Sequence, residues 1–263
     1  IIVVDNNSTD GSSEFIKKFK EIKLICLKKN YGASEGKNIG IRNSSGKYIY
    51  FLDSDVEVES DCLIRLVEVC DGNENIGICG SKVKSIGTNN IQNAGDFISP
   101  VGTLIHRGMN KEDDGSFDEQ INVFSVPSCS MLVRKEMLDK LDMWFNPDFF
   151  IYFEDTDLCL RANMIGYDVV YVPTSVIYHR NKKPSDIKEE SIYMTYRNKI
   201  WSFRRNLRFP LKQIMLIFTL ITISAGIVLW TLNGKWTFKN NVYRHFFDII
   251  NCSLIPTISI KRQ

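Results

Sequence analysis

The sequence predicts an α/β fold in which a mixed sheet is flanked by helices, and three observations carry that expectation. Short apolar runs alternate with amphipathic segments through the first part of the chain, the rhythm of a sheet crossed by helices. A strand, helix, strand unit is visible within the first 27 residues. At 263 residues, with 44% hydrophobic and 24% charged positions, the chain can bury one substantial core and fits one domain plus an appendage better than two domains.

The elements follow in order. Val4 closes a strand and Asp5-Asn6-Asn7-Ser8-Thr9-Asp10-Gly11 is a loop. Phe15, Ile16, Phe19 and Ile22 recur at helical spacing, and Ile22 to Leu27 is short and apolar enough for the next strand. A second unit starts with a glycine-interrupted segment, Asn30 to Ser44, and continues through the strand Tyr48 to Leu52 into the acidic turn Asp53-Ser54-Asp55. Its helix runs from near Ser60 to Gly72. Ile76 to Gly80 is a buried strand, while Ser85 to Gln120, rich in Asn, Gly and Asp, has no clear period. Ile121 to Val126 and Met131 to Val133 are strands flanking Pro127-Ser128-Cys129. Asp155 to Ile165 is a helix stopped by Gly166, and Val169 to Val172 and Ser175 to Tyr178 are two further strands.

The totals exclude some classes. Lysine and arginine number 33 against 31 acids, and a net charge of +2 gives no global reason to expect nucleic acid as a partner. The composition is neither disordered nor fibrous. Seven scattered cysteines without a C-x-x-C pair imply reduced thiols in a cytoplasmic setting. The chain opens at Ile1-Ile2-Val3-Val4 without an initiator methionine or a leader, which reads as a start inside a strand of a longer protein.

Gln213 to Gly234 contains no charged residue, and 22 residues of helix reach roughly 33 Å, enough to cross a hydrocarbon core. Arg204, Arg205, Arg208 and Lys212 precede it and Lys235 and Lys239 follow, which keeps the main domain on the cytoplasmic side. A membrane-associated tail over 206–263, with a candidate transmembrane helix at 213–234, is the expectation. The polar Thr219, Thr222 and Ser224 keep an in-plane helix as the competing reading, so the attachment is single-pass or peripheral.

Two acidic clusters carry the chemistry. Asp53 and Asp55 sit at the C-terminal end of a strand, where open α/β sheets bind ligands, and could hold a divalent cation that bridges nucleotide phosphates. D-x-D also occurs in ordinary surface turns. Glu154-Asp155-Thr156-Asp157 follows the aromatic run Phe149 to Phe153, which suggests a pocket. Asp155 at a helix N-terminus has its ionised form favoured, as a general base requires, with helix capping as the plain alternative. For Asp157 the preferred reading is an exposed i, i+4 pair with Arg161. His179 ends a strand, and a lone histidine is more often structural than a ligand. The cluster Asn30, Gly32, Gly36, Lys37, Asn38 and Gly40 lets backbone approach a ligand, and Lys37 could meet phosphate, but it is neither a dinucleotide fingerprint nor a Walker loop.

Val3 to Ser12, Asn30-Tyr31-Gly32 with Asn38-Ile39-Gly40, and Phe51 to Asp55 resemble the family-2 glycosyltransferases in order and spacing. Ser130 to Arg134, Phe149 to Arg161, Gly166-Tyr167 and Tyr171-Val172-Pro173 to His179 resemble the rhamnosyltransferase-like branch. The match covers about residues 1–205.

The resemblance implies a GT-A fold and inversion at the anomeric carbon by one direct displacement. It implies that Asp53 and Asp55 bind the nucleotide-sugar and its Mg²⁺ or Mn²⁺, that His179 completes the metal site, and that Asp155 is the base. It implies that Asp5 contacts the nucleotide base, with Lys37 and Asn38 also on the donor and Glu154 and Trp144 as acceptor or pocket residues. The family's first strand and helix are absent from this sequence, and Ser34-Glu35-Gly36-Lys37 departs from its usual run.

The expected function is therefore transfer of one sugar, rhamnose or another hexose, from a nucleotide-diphosphate donor to a cell-surface glycan or lipid-linked acceptor at the cytoplasmic face of the cell membrane. Two alternatives compete: a non-catalytic membrane-bound partner with the same fold, and a nucleotidyltransferase. The latter leaves the aromatic-acidic run and the hydrophobic tail unexplained.

Overall fold

The computed structural model describes residues 1–180 and 189–232. They form two compact units: 1–97 with 106–181, and 98–105 with 182–263. The division at 181/182 comes before the expected boundary at 205/206.

The first unit opens with β1 (Ile2–Asp5), α1 (Ser12–Ile16) and β2 (Lys23–Cys26), and β1 pairs β2 in parallel. Then come α2 (Gly32–Arg42), β3 (Tyr48–Leu52), β4 (Val56–Val58) and α3 (Cys62–Gly72). β5 (Ile76–Ser85) is followed by the short strands β6 (Ile91–Asn93), β7 (Asp96–Ile98), β8 (Leu104–His106) and β9 (Ile121–Asn122), of which Ile98, Leu104 and Ile105 belong to the second unit. β10 (Ser130–Arg134), α4 (Lys135–Asp139), a 3-10 turn (Pro147–Phe149), α5 (Glu154–Met164) and β11 (Asp168–His179) complete it.

The main sheet runs β3-β10-β5-β11-β4, with β6 on β5 and β9 on β11. β5 and β11 are parallel, whereas β10 is antiparallel to both β3 and β5, so the sheet is mixed as expected. Alternation sorts its side chains onto two faces. Ile78, Met131, Val133, Val169 and Tyr171 meet Leu158 and Cys159 of α5 on one face, and Cys79, Leu132, Val170 and Val172 meet Leu66 and Cys70 of α3 on the other. Both faces are covered, which is why these strands read as continuous apolar runs. The six described cysteines are free thiols.

Several expectations are corrected. The helix expected through Ile22 stops at Ile16, because Phe15 and Phe19 remain exposed and give it no face to bury. Within Asn30 to Ser44, Gly32–Arg42 is a helix despite its glycines. Of Ile121 to Val126 only Ile121–Asn122 is strand. The two strands expected between Val169 and Tyr178 are one, β11, with a register irregularity between Val172 and Val176 that absorbs Pro173.

Two consequences of register build the site. Ser130 lies opposite Leu52, so the residues before β10 fall beside the residues after β3. His179 lies opposite Val56, which sets the end of β11 next to Asp55.

The second unit contains α6 (Glu189–Asn206), absent from the sequence expectation, and α7 (Leu211–Leu232). Tyr193, Tyr196 and Ile200 pack against Leu216, Leu220 and Ile223. Ile214, Ile217, Phe218 and Ile221 remain exposed. Thr219, Thr222 and Ser224 return their hydroxyls to the carbonyls of Met215, Phe218 and Leu220. Among the described residues no helix is long and apolar enough to cross a membrane, so the expected span at 213–234 is not supported. One side of α7 packs on α6. Residues 233 and 234, with Lys235 and Lys239, lie outside the described residues.

Candidate active site

The acidic turn after β3 and the end of β11 supply three ligands of two types. Asp53, Asp55 and His179 each offer one ligand atom, and these atoms lie within 4.8 Å of one another. His179 Nε2 stands 3.4 Å from Asp55 Oδ1. Its Nδ1 is 2.8 Å from Gln92 Oε1, and an amide oxygen only accepts, so Nδ1 carries the proton and the Nε2 lone pair faces the aspartates. Gln92 Nε2 in turn donates to the His179 carbonyl at 2.8 Å. Two carboxylates and an imidazole of this tautomer fit a divalent cation, and the nitrogen suits manganese better than magnesium. Surrounding protein raises the Asp53 carboxyl above its usual range, with Lys37 opposing and Asp55 adding to the rise.

The second cluster begins at α5. Asp155 Oδ2 accepts the Ser128 N–H at 3.1 Å, and Oδ1 accepts the Thr156 N–H at 2.7 Å. Burial first, and then the charge of neighbouring Glu154, pushes the Asp155 pKa up to about 6, against the pull of Lys37. Glu154 is buried, with Oε1 2.7 Å from Lys37 Nζ and Oε2 unpartnered among the described residues. Lys37 also donates to Ser128 Oγ at 2.7 Å. Burial alone would lower the Lys37 pKa, but Glu154, Asp155 and Asp53 hold it above its ordinary value.

Ser128 and Cys129 join the two clusters. The Cys129 carbonyl accepts the Asp53 N–H at 3.4 Å while the Ser128 N–H holds Asp155. Lys37 lies within reach of the charges of Glu154, Asp155 and Asp53 together. Acids that are distant in sequence therefore converge on one lysine.

The segment before α5 is strained. Phe150, Tyr152 and Phe153 all have positive φ, and Ile151 N donates to the Phe149 carbonyl at 2.7 Å in a three-residue turn. α2 holds this loop, because Ser34 N donates to the Phe150 carbonyl at 3.2 Å. Gly32, with φ +85°, lies against it so closely that a Cβ there would be 2.4 Å from Phe150 O. Asn6 fixes the start of α2 through Tyr31 N and Gly32 O.

Other expected site residues do different work. Asn38 is not free for a nucleotide: its amide clasps the backbone N–H and carbonyl of Phe145 and reaches Glu35. Lys37 is engaged by Glu154 and Ser128 and neutralises acids. Both Asp5 oxygens are taken, by Ser8 N and Ser13 Oγ, and these bonds, Ser13 first, lower its pKa, so Asp5 shapes the 5–13 loop. Trp144 has a different setting. It lines a cleft of about 500 Å³ with Glu35, Asn38, Arg42 and Asp142, because the Asn38 clasp sends Phe145 into the core and Arg161 holds the Trp144 carbonyl. Asp157 and Arg161 are paired at 2.8 Å as expected, but buried, with the guanidinium also gripping the Met143 carbonyl. Sequence reasoning missed Gln92, Ser128 and the ion pair of Lys37 with Glu154. The one signal for Ser128 was its place between two strands.

Comparison with known proteins agrees with this fold. The model of "Glycosyl transferase family 2" matches residues 1–142, more than half of the chain. A probable glycosyltransferase, YdaM of Bacillus subtilis, is 25% identical over 194 residues, covering 68% of this chain and 43% of the relative. The dTDP-rhamnosyl transferase RfbF of Shigella flexneri is 26% identical over 187 residues, covering 68% and 59%. The chain thus spans about half the length of the curated relatives it matches. Among solved structures, GalNAc-T7 with UDP, GalNAc and Mn²⁺ superposes with TM-score 0.61 at 14% identity, over 78% of this chain and 41% of that one. The mannosyltransferase PcManGT of Pyrobaculum calidifontis, in complex with GDP-Man and Mn²⁺, gives 0.54 at 14% identity, over 96% and 77%.

Proposed function

Because the chain belongs to glycosyl transferase family 2, we propose that it transfers a sugar from a nucleotide-diphosphate donor to a hydroxyl of a glycan or lipid-linked acceptor, with inversion at the anomeric carbon. The observation that carries this reading is the meeting of Asp53, Asp55 and His179 with Glu154 and Asp155 around Lys37 and Ser128.

Each part has a chemical task. A sugar hydroxyl is a poor nucleophile, and Asp155, ionised near neutral pH yet more basic than an ordinary carboxylate, takes its proton. Two backbone N–H groups fix where that carboxylate points. Asp53, Asp55 and His179 would hold Mn²⁺ or Mg²⁺, which when bound neutralises charge on the departing diphosphate. Lys37 keeps three acids from repelling one another in a small space. The strained aromatic turn, braced by α2, sets the base before substrate arrives.

Rhamnose is the first donor sugar to test, supported by the similarity to RfbF. The exposed face of α7, with Arg204, Arg205, Arg208 and Lys212 before it, supports peripheral attachment at the cytoplasmic face of the membrane, where a lipid-linked acceptor would be found. Screening UDP-, dTDP- and GDP-sugars for metal-dependent hydrolysis or transfer tests the reading. It fails if the full-length protein binds no nucleoside diphosphate in the presence of Mn²⁺.

A further inference from the structure

Two thiols that sugar transfer leaves unused touch one another beneath α3. Cys70 Sγ, in the last turn of α3, lies 3.1 Å from Cys79 Sγ in β5, and both side chains are fully buried. A disulfide holds its sulfurs at about 2 Å, so an approach of about 1 Å would join them. This is the one sulfur–sulfur contact among the described residues. Cys62 meets the hydroxyls of Tyr50, Ser81 and Ser175, and exposed Cys26 reaches only Ser13 Oγ, at 3.9 Å. Cys129 and Cys159 have no thiol neighbour, and burial pushes both of their thiols up.

The surroundings distinguish the two sulfurs. Arg134 of β10 donates Nη2 to the Cys70 carbonyl at 2.6 Å and to the Asn73 carbonyl at 3.1 Å, and Nε to the Ile76 carbonyl at 2.9 Å. A guanidinium therefore spans the turn that joins α3 to β5. The hydrogen bond from Cys79 comes first in holding the Cys70 thiol below its usual range, and the Arg134 charge adds to it against burial. Cys79, the donor in that bond, is raised by it and by burial. Access favours the same sulfur. Residues 71–75, directly after Cys70, are exposed, and the last turn of a helix is where fraying begins.

We propose that Cys70 and Cys79 form a peroxide-reactive dithiol, in which Cys70 attacks the peroxide and Cys79 resolves the product to a disulfide between α3 and β5. The Cys70 sulfur attacks one peroxide oxygen and the O–O bond breaks, leaving a sulfenic acid while the other oxygen departs as water. The Cys79 sulfur then attacks the Cys70 sulfur, and its proton leaves with the sulfenic hydroxyl as a second water. Two electrons pass from the thiol pair to the peroxide. The bond ties residues nine positions apart and fixes the end of α3 to a strand whose Cys79 lies opposite Leu132 and Val170, in the middle of the sheet. A small thiol reopens it by exchange.

Treating the undenatured full chain with hydrogen peroxide and mapping its non-reduced peptides by mass spectrometry tests this. A Cys70–Cys79 disulfide should form and should be reopened by dithiothreitol. Cys79→Ser should accumulate a sulfenic acid at Cys70 that dimedone labels, whereas Cys70→Ser should leave Cys79 unlabelled. Thermal melts of the untreated variants establish that each folds. Oxidation confined to Cys26, or disulfides that join Cys70 or Cys79 to other cysteines while the pair itself stays open, overturns the proposal. Dimedone labelling of Cys79 in Cys70→Ser as fast as that of Cys70 in Cys79→Ser overturns the assigned order of attack.

Discussion

The Lys37 ammonium lies 2.7 Å from Glu154 Oε1 across 117 residues of sequence, and both side chains are buried. The contact joins α2, which follows the first βαβ unit, to the start of α5, where the proposed base sits. Lys37 also lies within reach of Asp53, so one cation balances acids drawn from β3 and α5. Taking charges out of water is costly unless they are paired, and this pair lets an acid-rich pocket exist before any substrate or cation arrives.

Lys37→Met should therefore destabilise the fold by about 3–5 kcal/mol, the range for removing one partner of a buried pair. Denaturant unfolding measures it. Lys37→Met with Glu154→Gln should recover much of that loss, because no uncompensated charge remains. A single variant as stable as the parent would show that the pair is not closed in solution.

Asp155 titrates upward, to about 6, so the sign of the pH effect is set. The base must be ionised, and kcat should fall as pH drops through about 6. Asp155→Asn should lose about 10²- to 10⁴-fold in rate and keep nucleotide affinity. Glu154 is the neighbouring charge that raises the pKa, so residual activity of Glu154→Gln should extend to lower pH. For stability the sign reverses. Because the folded pKa lies above the ordinary 3.8, ionised Asp155 costs stability above pH 6, and that cost fades as pH falls towards 4. A pH–rate profile and thermal melts across the same range check both.

The acids of the site were legible in the sequence because strand ends and a helix N-terminus are local features. Asp53, Asp55 and Asp155 could be named from their neighbours alone, whereas His179 was named only through the family resemblance. Their meeting is a matter of register, Ser130 opposite Leu52 and His179 opposite Val56, which no local pattern encodes. The surroundings of Asn38 and Trp144 were not legible for the same reason. Whether an amide faces a ligand or clasps Phe145 depends on a loop 107 residues away. The stretch from Ser85 to Gln120 hid Gln92 because its strands are three residues long and carry no period.

Gln92 offers a test of the cation site that leaves every proposed ligand in place. Its amide holds His179 in the tautomer that turns Nε2 towards Asp55, with both contacts at 2.8 Å. Gln92→Leu should weaken Mn²⁺ binding about 10- to 100-fold, the usual cost of losing a group that orients a ligand. Calorimetric titration with Mn²⁺ in the presence of a nucleoside diphosphate reads this. His179→Ala should do the same or worse. Equal affinity in both variants and the parent would remove His179 from the site.

Gly32 carries the strictest steric demand near the base. Its φ of +85° suits glycine, and a methyl group would sit 2.4 Å from the Phe150 carbonyl oxygen and 2.6 Å from the Phe150 ring. Two penalties act together, a left-handed backbone for an L-residue and a clash with main chain that is itself at positive φ. Gly32→Ala should cost about 1–3 kcal/mol in unfolding free energy. It should also lower kcat, because relief of the clash moves the turn that delivers Glu154 and Asp155. Gly11 has nearly the same φ of +86° but nothing within 4 Å of a built Cβ, so Gly11→Ala carries the backbone penalty alone. If both variants lose equal stability and Gly32→Ala keeps full turnover, packing of Gly32 against Phe150 plays no part in holding the base.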